Sequence, residues 1–271
     1  MRNGKYAAAK TPVHRKWQST QFEDMDRWTG RVALVTGASK GIGAAIARAL
    51  VKDGMVVVGC ARHVEDMQKT AADLQDEKGR LIPMMCDLTK TEEIESMFQK
   101  IKEQLGGVDV CVNNAGVDLC QDCKTGSLSD TKTMYDLNVF AAITVSQLTI
   151  KSIQERERDD GHIINIGSVC ESTVHVDLPC HMYTPTKFAL KAFTEGLRHE
   201  LRKEKTKIRT TVISPALVDT PQSREDMDDS FFCPETCLQP DDVAAAVTFA
   251  LSAPPCVNVR QICLHAIHDT L

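Results

Sequence analysis

Val32-Ala-Leu-Val-Thr36-Gly37-Ala-Ser39-Lys40-Gly41-Ile42-Gly43-Ala-Ala-Ile-Ala-Arg-Ala-Leu50 is the stretch whose reading decides the fold. Its first residues are an apolar run of strand length. Gly37, Gly41 and Gly43 interrupt that run, and an Ala-rich segment follows with Ile46 and Leu50 at helical spacing. Strand, glycine turn and helix in this order can cradle a pyrophosphate. Without side chains at Gly37 and Gly41 the backbone comes close to the phosphates, and Gly43 lets the helix lie close on the sheet. The helix N-terminus then adds free N–H groups and a partial positive charge. A glycine turn alone serves many loops; following a strand and opening a helix makes it a dinucleotide signal.

The same pattern repeats downstream. Met55–Cys60 reads as a second buried strand, ending where the adenine ribose of a dinucleotide would lie. An enzyme for NAD normally places Asp or Glu there. This chain has Cys60, Ala61 and Arg62, with no acid until Glu65, and Lys40 adds a second cation. The expected cofactor is therefore NADP(H). A charged helix spans 64–79, and Leu81–Cys86 is a third strand, followed by Asp87-Leu88-Thr89. A helix from Thr91 leads to a fourth strand, Val108–Val112, and then Asn113-Asn114-Ala115-Gly116. A polar loop covers 118–132, and a long helix is expected over 133–157. The fifth strand is read as Gly161–Ser168, a further helix begins at Tyr183, and a sixth strand spans Ile208–Ile213 with Ser214-Pro215 at its end. A last helix from Asp241 or Asp242 to Leu251 and a strand at Val259–Leu264 close the pattern. Strands alternating with helices imply right-handed βαβ units. The predicted fold is α/β, a single Rossmann-type doubly wound parallel sheet of about seven strands with helices on both faces.

Length and charge narrow the function. The 271 residues suit one large domain, expected over 29–271, and the net charge of −5 gives no basic footprint for nucleic acid. No apolar run approaches the roughly 18 residues of a membrane span. Residues 1–28 carry Arg2, Lys5, Lys10, Arg15 and Lys16 with no acid before Glu23. They read as a flexible N-terminal extension of a cytoplasmic protein, with mitochondrial import as the other reading. The 11 cysteines suit a reducing compartment, and Cys60, Cys86, Cys111 and Cys263, on apparent strands, read as small buried side chains. Cys120 with Cys123, and Cys233 with Cys237, read as loop thiols rather than a zinc site, so no metal is expected. The polar, turn-rich segment 217–237 is a candidate substrate lid.

The chemistry is carried by Tyr183-Thr-Pro185-Thr-Lys187 and Ser168. Pro185 fits a helix only in its first turn, which puts Tyr183 at the helix start, and Lys187 lies one turn on, on the same face. An isolated tyrosine, with a pKa of about 10, is a poor acid or base at neutral pH. A neighbouring ammonium favours its phenolate, and a hydroxyl at Ser168 can hold a carbonyl oxygen.

These residues together resemble the short-chain dehydrogenase/reductase family over roughly residues 29–265. The resemblance rests on Thr36-Gly37-x-x-x-Gly41-x-Gly43, Asp87, Asn113-Asn114-Ala115-Gly116, Asn138, Ser168, Tyr183-x-x-x-Lys187 and Ser214-Pro215. It implies a catalytic set of Asn138, Ser168, Tyr183 and Lys187, with Asn138 relaying protons through water to Lys187. It also implies cofactor contacts from Gly37, Ser39, Lys40, Gly41, Ile42, Gly43, Arg62, Asp87, Leu88, Asn114, Ala115, Gly116, Tyr183, Lys187, Pro215, Val218 and Thr220. Met25-Asp-Arg-Trp28 and the runs 59–62, 160–165, 194–202 and 238–244 are similar to one subgroup, which implies NADPH-dependent reduction of apolar carbonyls such as keto-steroids, farnesal or xenobiotic ketones. Four features depart from the family pattern: a longer Ser168–Tyr183 spacing, Gly167 where a polar residue is common, Ala216 after Pro215, and Pro185 itself. The competing reading is a catalytically silent NADP-binding sensor or scaffold, against which the full catalytic set argues. A dehydratase or epimerase is disfavoured by the short C-terminal end. Leu119, Val174, Val176, Leu178, Met182, Leu217, Phe231 and Phe232 in the surrounding loops suit a small apolar substrate. The family resemblance implies a homodimer or homotetramer.

Overall fold

The structure, a computed structural model, describes residues 25–120, 122–174, 180–226, 232–233 and 235–269. Expectations for residues 1–24, for Val176, Leu178 and Phe231, and for part of the lid segment lie outside the described residues.

Seven parallel strands form one sheet: β1 (Val32–Thr36), β2 (Val56–Ala61), β3 (Arg80–Met85), β4 (Val110–Asn113), β5 (Asp160–Ile166), β6 (Lys207–Pro215) and β7 (Gln261–Leu264). Their order is β3-β2-β1-β4-β5-β6-β7, so the winding reverses between β1 and β4. In such sheets the crevice at the carboxyl ends of the strands flanking the reversal is where ligands bind.

Among the described residues eight helices connect or flank the strands: α1 (Gly41–Lys52), α2 (Glu65–Asp73), α3 (Thr91–Leu105), α4 (Leu128–Tyr135), α5 (Ala141–Glu155), α6 (Tyr183–Lys203), α7 (Pro221–Asp226) and α8 (Pro240–Ser252). Strand side chains alternate between two apolar layers, as a sheet covered on both faces requires. Ala33 and Val35 of β1 join Ile46 and Leu50 of α1 and Val243 and Val247 of α8 in one layer. Val32 and Leu34 face Ile94 and Ile101 of α3, Val145 of α5 and Leu197 of α6 in the other. At the amino ends of the strands, buried Asp109 accepts from Val32 N at 2.9 Å and pairs with Arg31 at 3.1 Å and Arg156 at 3.0 Å. That cluster fastens the end of the sheet opposite the crevice.

Several boundaries differ from the sequence reading. Met25 and Trp28 belong to the core, so packed structure starts before the expected end of the N-terminal extension at residue 28. The Trp28 indole N–H donates to Leu251 O at 3.0 Å, and the Arg31 guanidinium lies 4.6 Å from its ring centroid. The helix expected over 133–157 starts at Leu128, where the Ser127 hydroxyl caps it, and is interrupted by a π-turn over Asp136–Phe140. The helix expected over 64–79 is α2 alone, followed by turns. The candidate lid contains α7. Strand β5 stops at Ile166, which leaves Ser168 outside the sheet as the cap of a single 3-10 turn, Val169–Glu171. Cys263 is exposed on edge strand β7 rather than buried, and no disulfide joins any of the cysteines among the described residues.

Candidate active site

The glycine turn between β1 and α1 is shaped by space. Gly37 and Gly41 have φ of +65° and +53°, a region that glycine enters without steric cost. A Cβ on Gly43 would lie 2.2 Å from the Gly37 carbonyl oxygen and 2.5 Å from Asn114 Nδ2. Gly43 therefore keeps the turn itself closed, rather than merely letting the helix lie on the sheet. Thr36, whose role sequence reading passed over, organises the opposite wall: its Oγ1 accepts from Asn114 N and Ala115 N, each at 3.0 Å. Asn114 Nδ2 donates to Thr36 O at 2.9 Å and Gly37 O at 3.2 Å, so β4 is stitched to the turn. The three glycines leave a cradle that side chains would fill, backed by the N-terminus of a twelve-residue helix, and these features fit a dinucleotide pyrophosphate.

The other expected cofactor residues are distributed unevenly. Ser39, Ile42, Ala115 and Gly116 are half-buried around the crevice, and Thr220 packs its methyl 3.2 Å from where a Gly41 Cβ would sit. Pro215 ends β6, and Val218 pairs with Leu238 in a short parallel bridge. Lys40 and Arg62 are exposed at the ends of β1 and β2, and neither pairs with a carboxylate among the described residues. Leu88 buries its side chain in the apolar layer under α3, which leaves its backbone as the part that could face a cofactor. Asp87 also turns inward on its own loop: its carboxylate accepts from Thr89 N at 3.1 Å and Thr89 Oγ1 at 2.8 Å, and Thr89 and Lys90 hold its pKa below the usual range.

At the carboxyl end of β5 the chain contributes side chains instead. Tyr183 is the first residue of α6, and Pro185 is the third, where a missing N–H breaks no helical bond. Lys187 follows one turn later; its Nζ donates to Ile166 O at 2.9 Å and lies 5.3 Å from the Tyr183 ring centroid. Burial lowers the Lys187 pKa to about 8, against the opposing pull of Glu171, Cys170 and Asp118. The phenol of Tyr183 moves the other way. Desolvation drives its pKa well above the ordinary value, Cys170, Asp118 and Cys180 add to that, and only Ser168 opposes it. Removing water penalises the phenolate, and that loss dominates the surroundings of this hydroxyl. Tyr183 therefore keeps its proton through the neutral range.

Ser168 Oγ accepts from Cys170 N at 3.2 Å, and the same hydroxyl hydrogen-bonds the Tyr183 side chain, which joins the turn to the phenol. Asn138 sits in the π-turn, and such turns inside helices are frequent at functional sites. Its side chain clasps Val117, accepting from N at 2.8 Å and donating to O at 2.9 Å, and donates to Thr186 Oγ1 at 3.1 Å. Thr186 Oγ1 donates in turn to Tyr183 O at 2.6 Å. The amide is thus committed to holding the loop after β4 against the first turn of α6. A Cβ on Gly116 would come within 3.3 Å of Asn138 Oδ1 and 3.8 Å of Lys187 Nζ, so the end of the dinucleotide crevice meets the lysine.

A strand crevice at the winding reversal, lined by a glycine turn and ending at a tyrosine–lysine pair, agrees with the family model described as short chain dehydrogenase, which matches residues 31–230. The chain belongs to the short-chain dehydrogenase family. As such it is an oxidoreductase built around a nicotinamide dinucleotide. This short-chain dehydrogenase is 49% identical over 249 residues to dehydrogenase/reductase SDR family member 11 of Gallus gallus, covering 88% of this chain and 96% of the relative. It is 39% identical to farnesol dehydrogenase of Aedes aegypti, covering 90% and 99% of the two chains. Among solved structures, an alcohol dehydrogenase from the archaeon Thermococcus sibiricus, complexed with 5-hydroxy-NADP, superposes with a TM-score of 0.79 at 27% identity, covering 89% of this chain and 98% of that one. Besides Thr36, sequence reading passed over Glu171, which closes a capping box with Ser168. The Ser168-x-x-Glu171 spacing is the capping-box pattern that would have found it.

Proposed function

We propose that this short-chain dehydrogenase interconverts a carbonyl and an alcohol on a small apolar substrate, a keto-steroid, farnesal or a xenobiotic ketone, with NADP(H). The observation that carries the reading is the meeting of Tyr183, Lys187 and the Ser168 turn at the end of the glycine-lined crevice. Gly37, Ser39, Lys40, Gly41, Ile42 and Gly43 would hold the pyrophosphate end, while Lys187 and the 114–116 backbone would flank the nicotinamide ribose. A bound reduced nicotinamide supplies the hydride. Tyr183, which keeps its proton at neutral pH, donates it to the substrate oxygen; Ser168 holds that oxygen in place; and Lys187, charged below about pH 8, stabilises the phenolate left behind. Asn138 positions Tyr183 through Thr186.

The preference for NADP(H) rests on exposed Lys40 and Arg62 beside a β2 that ends in Cys60 and Ala61 without a carboxylate. An apolar substrate is supported by Leu119, Met182 and Leu217 near the crevice mouth and by the farnesol dehydrogenase relative. Phe140 and Phe188 remain 56% and 41% exposed at the start of α5 and on α6, which supports a homodimer or homotetramer joined through these helices. Eleven cysteines with no disulfide among the described residues suit a cytoplasmic setting.

The test is oxidation of NADPH and of NADH by the purified protein against a 17-ketosteroid, a 3-ketosteroid, farnesal and an aromatic diketone. NADPH turnover with at least one of them is expected. NADPH binding without turnover of any would replace this reading with a silent binding protein.

A further inference from the structure

Gly167 lies between the end of β5 and Ser168, and the space where its side chain would be is taken. A Cβ there would sit 1.9 Å from Glu171 Oε2 and 3.0 Å from Val212 Cγ1. The departure of Gly167 from the family pattern therefore has a local cause: it makes room for a carboxylate. Glu171 is 1% exposed. A buried carboxylate persists only when donors and a counter-charge replace its water. Those donors come from three parts of the fold. Ser168 N donates to Oε2 at 3.3 Å; Ser214 Oγ, on β6, and Gln261 Nε2, on β7, donate to Oε1 at 2.6 Å and 2.9 Å. Gln261 also donates to Ser214 Oγ at 3.2 Å, and Lys191 Nζ of α6 lies 3.7 Å from Oε1.

The charged and titratable groups around this carboxylate are Lys191 and Lys187 on α6 and the Cys263 thiol on β7. Those acting on Lys187 are Glu171 and Cys170 from the Ser168 turn and Asp118 from the loop after β4, with the Tyr183 ring beside it. Glu171 comes first among the groups that favour the charged lysine against burial.

We propose that Glu171 is a positioning residue of this active site: its buried carboxylate ties the Ser168 turn to β6 and β7 and supplies the counter-charge for Lys187. The roles of Ser168 and Lys187 rest on the proposed function; the placement of Glu171 does not. Glu171 touches neither substrate nor cofactor, and acts by holding a hydroxyl in place and a lysine in its protonated form.

The test uses the full chain with Glu171→Gln, which keeps the size of the side chain and one acceptor oxygen, exchanges the other oxygen for an NH2 donor, and removes the charge. In isotope-labelled lysine NMR, with the Lys187 signal assigned through Lys187→Arg, its titration midpoint is expected to fall by about one pH unit. An unchanged midpoint would overturn the counter-charge. This readout needs no turnover, so it decides the proposal even if the reductase reading fails for want of any NADPH oxidation. Where turnover is present, the alkaline limb of kcat should move down by the same interval while KM for NADPH holds. A second pair of variants tests the geometry. Gly167→Ser should lower the thermal midpoint, and Gly167→Ser with Glu171→Gly should recover it while keeping the lowered lysine titration. A Gly167→Ser protein that melts like the parent would show that the carboxylate is not where the structure places it. Should Glu171→Gln fail to fold, the double variant carries the same titration.

Discussion

At the glycine turn the chain removes side chains, whereas at the start of α6 it buries charged ones. Around β1 the useful features are vacated space, backbone N–H groups and two solvated cations, Lys40 and Arg62. Around Tyr183 they are a desolvated phenol, a lysine drawn down to about 8 and a buried carboxylate shared between β6, β7 and the Ser168 turn. The two halves lie at the carboxyl ends of β1 and β5, with β4 between them in one parallel sheet, yet they respond to different perturbations. A methyl group is enough to disturb the first, because its walls are close-packed backbone. Loss of one charge disturbs the second, because little water is present to compensate.

The sharpest break between the halves should come from Tyr183→Phe. Removing the proton donor is expected to reduce kcat by about 10²–10⁴-fold, with NADPH affinity held, measured by steady-state kinetics and cofactor fluorescence. Next in size is Gly43→Ala. Its methyl collides with the Gly37 carbonyl, so the Kd for NADPH should rise by about tenfold or more, read by isothermal titration. The catalytic half alone should answer to pH. Lys187 is charged below its depressed value of about 8 and loses its proton above it, so ketone reduction should be level through neutrality. Above that point the rate should fall by about tenfold per pH unit, and a profile flat to pH 10 would remove the lysine from the mechanism. The smallest effect is expected at the exposed cation. Arg62→Glu should reduce the preference for NADPH over NADH by a few-fold to about tenfold, seen as a ratio of kcat/KM values.

The two halves also differ in how openly the sequence displays them. The cradle is local: Gly37, Gly41 and Gly43 fall within one strand–turn–helix unit, so spacing alone located it. The parallel sheet of about seven strands followed from alternating strands and helices for the same reason, while the strand order came from the structure. Tyr183 and Lys187 were legible because a helical turn joins them and Pro185 fixes where the helix starts. Glu171 was not, because its partners Ser214 and Gln261 are 43 and 90 residues away, and only the folded sheet brings them to it. The π-turn at Asn138 leaves no periodicity that a helix pattern would register, and it is this turn, with Val117 and Thr186, that gives the asparagine a clasping role. Trp28 lay in a stretch read as tail because its polar neighbours conceal that the ring packs under α8, where Leu251 accepts its N–H. At Tyr183 the sequence shows the lysine one turn away but not the burial, which pushes the phenol's pKa up.

The most direct measurement sets Gly43→Ala and Tyr183→Phe side by side, with NADPH affinity and kcat at saturating cofactor determined for both. The glycine variant should lose affinity and largely keep kcat once saturated; the tyrosine variant should keep affinity and lose kcat. If each variant lost both quantities in parallel, the division of this site into a cradle made of space and a catalytic end made of buried charge would be contradicted.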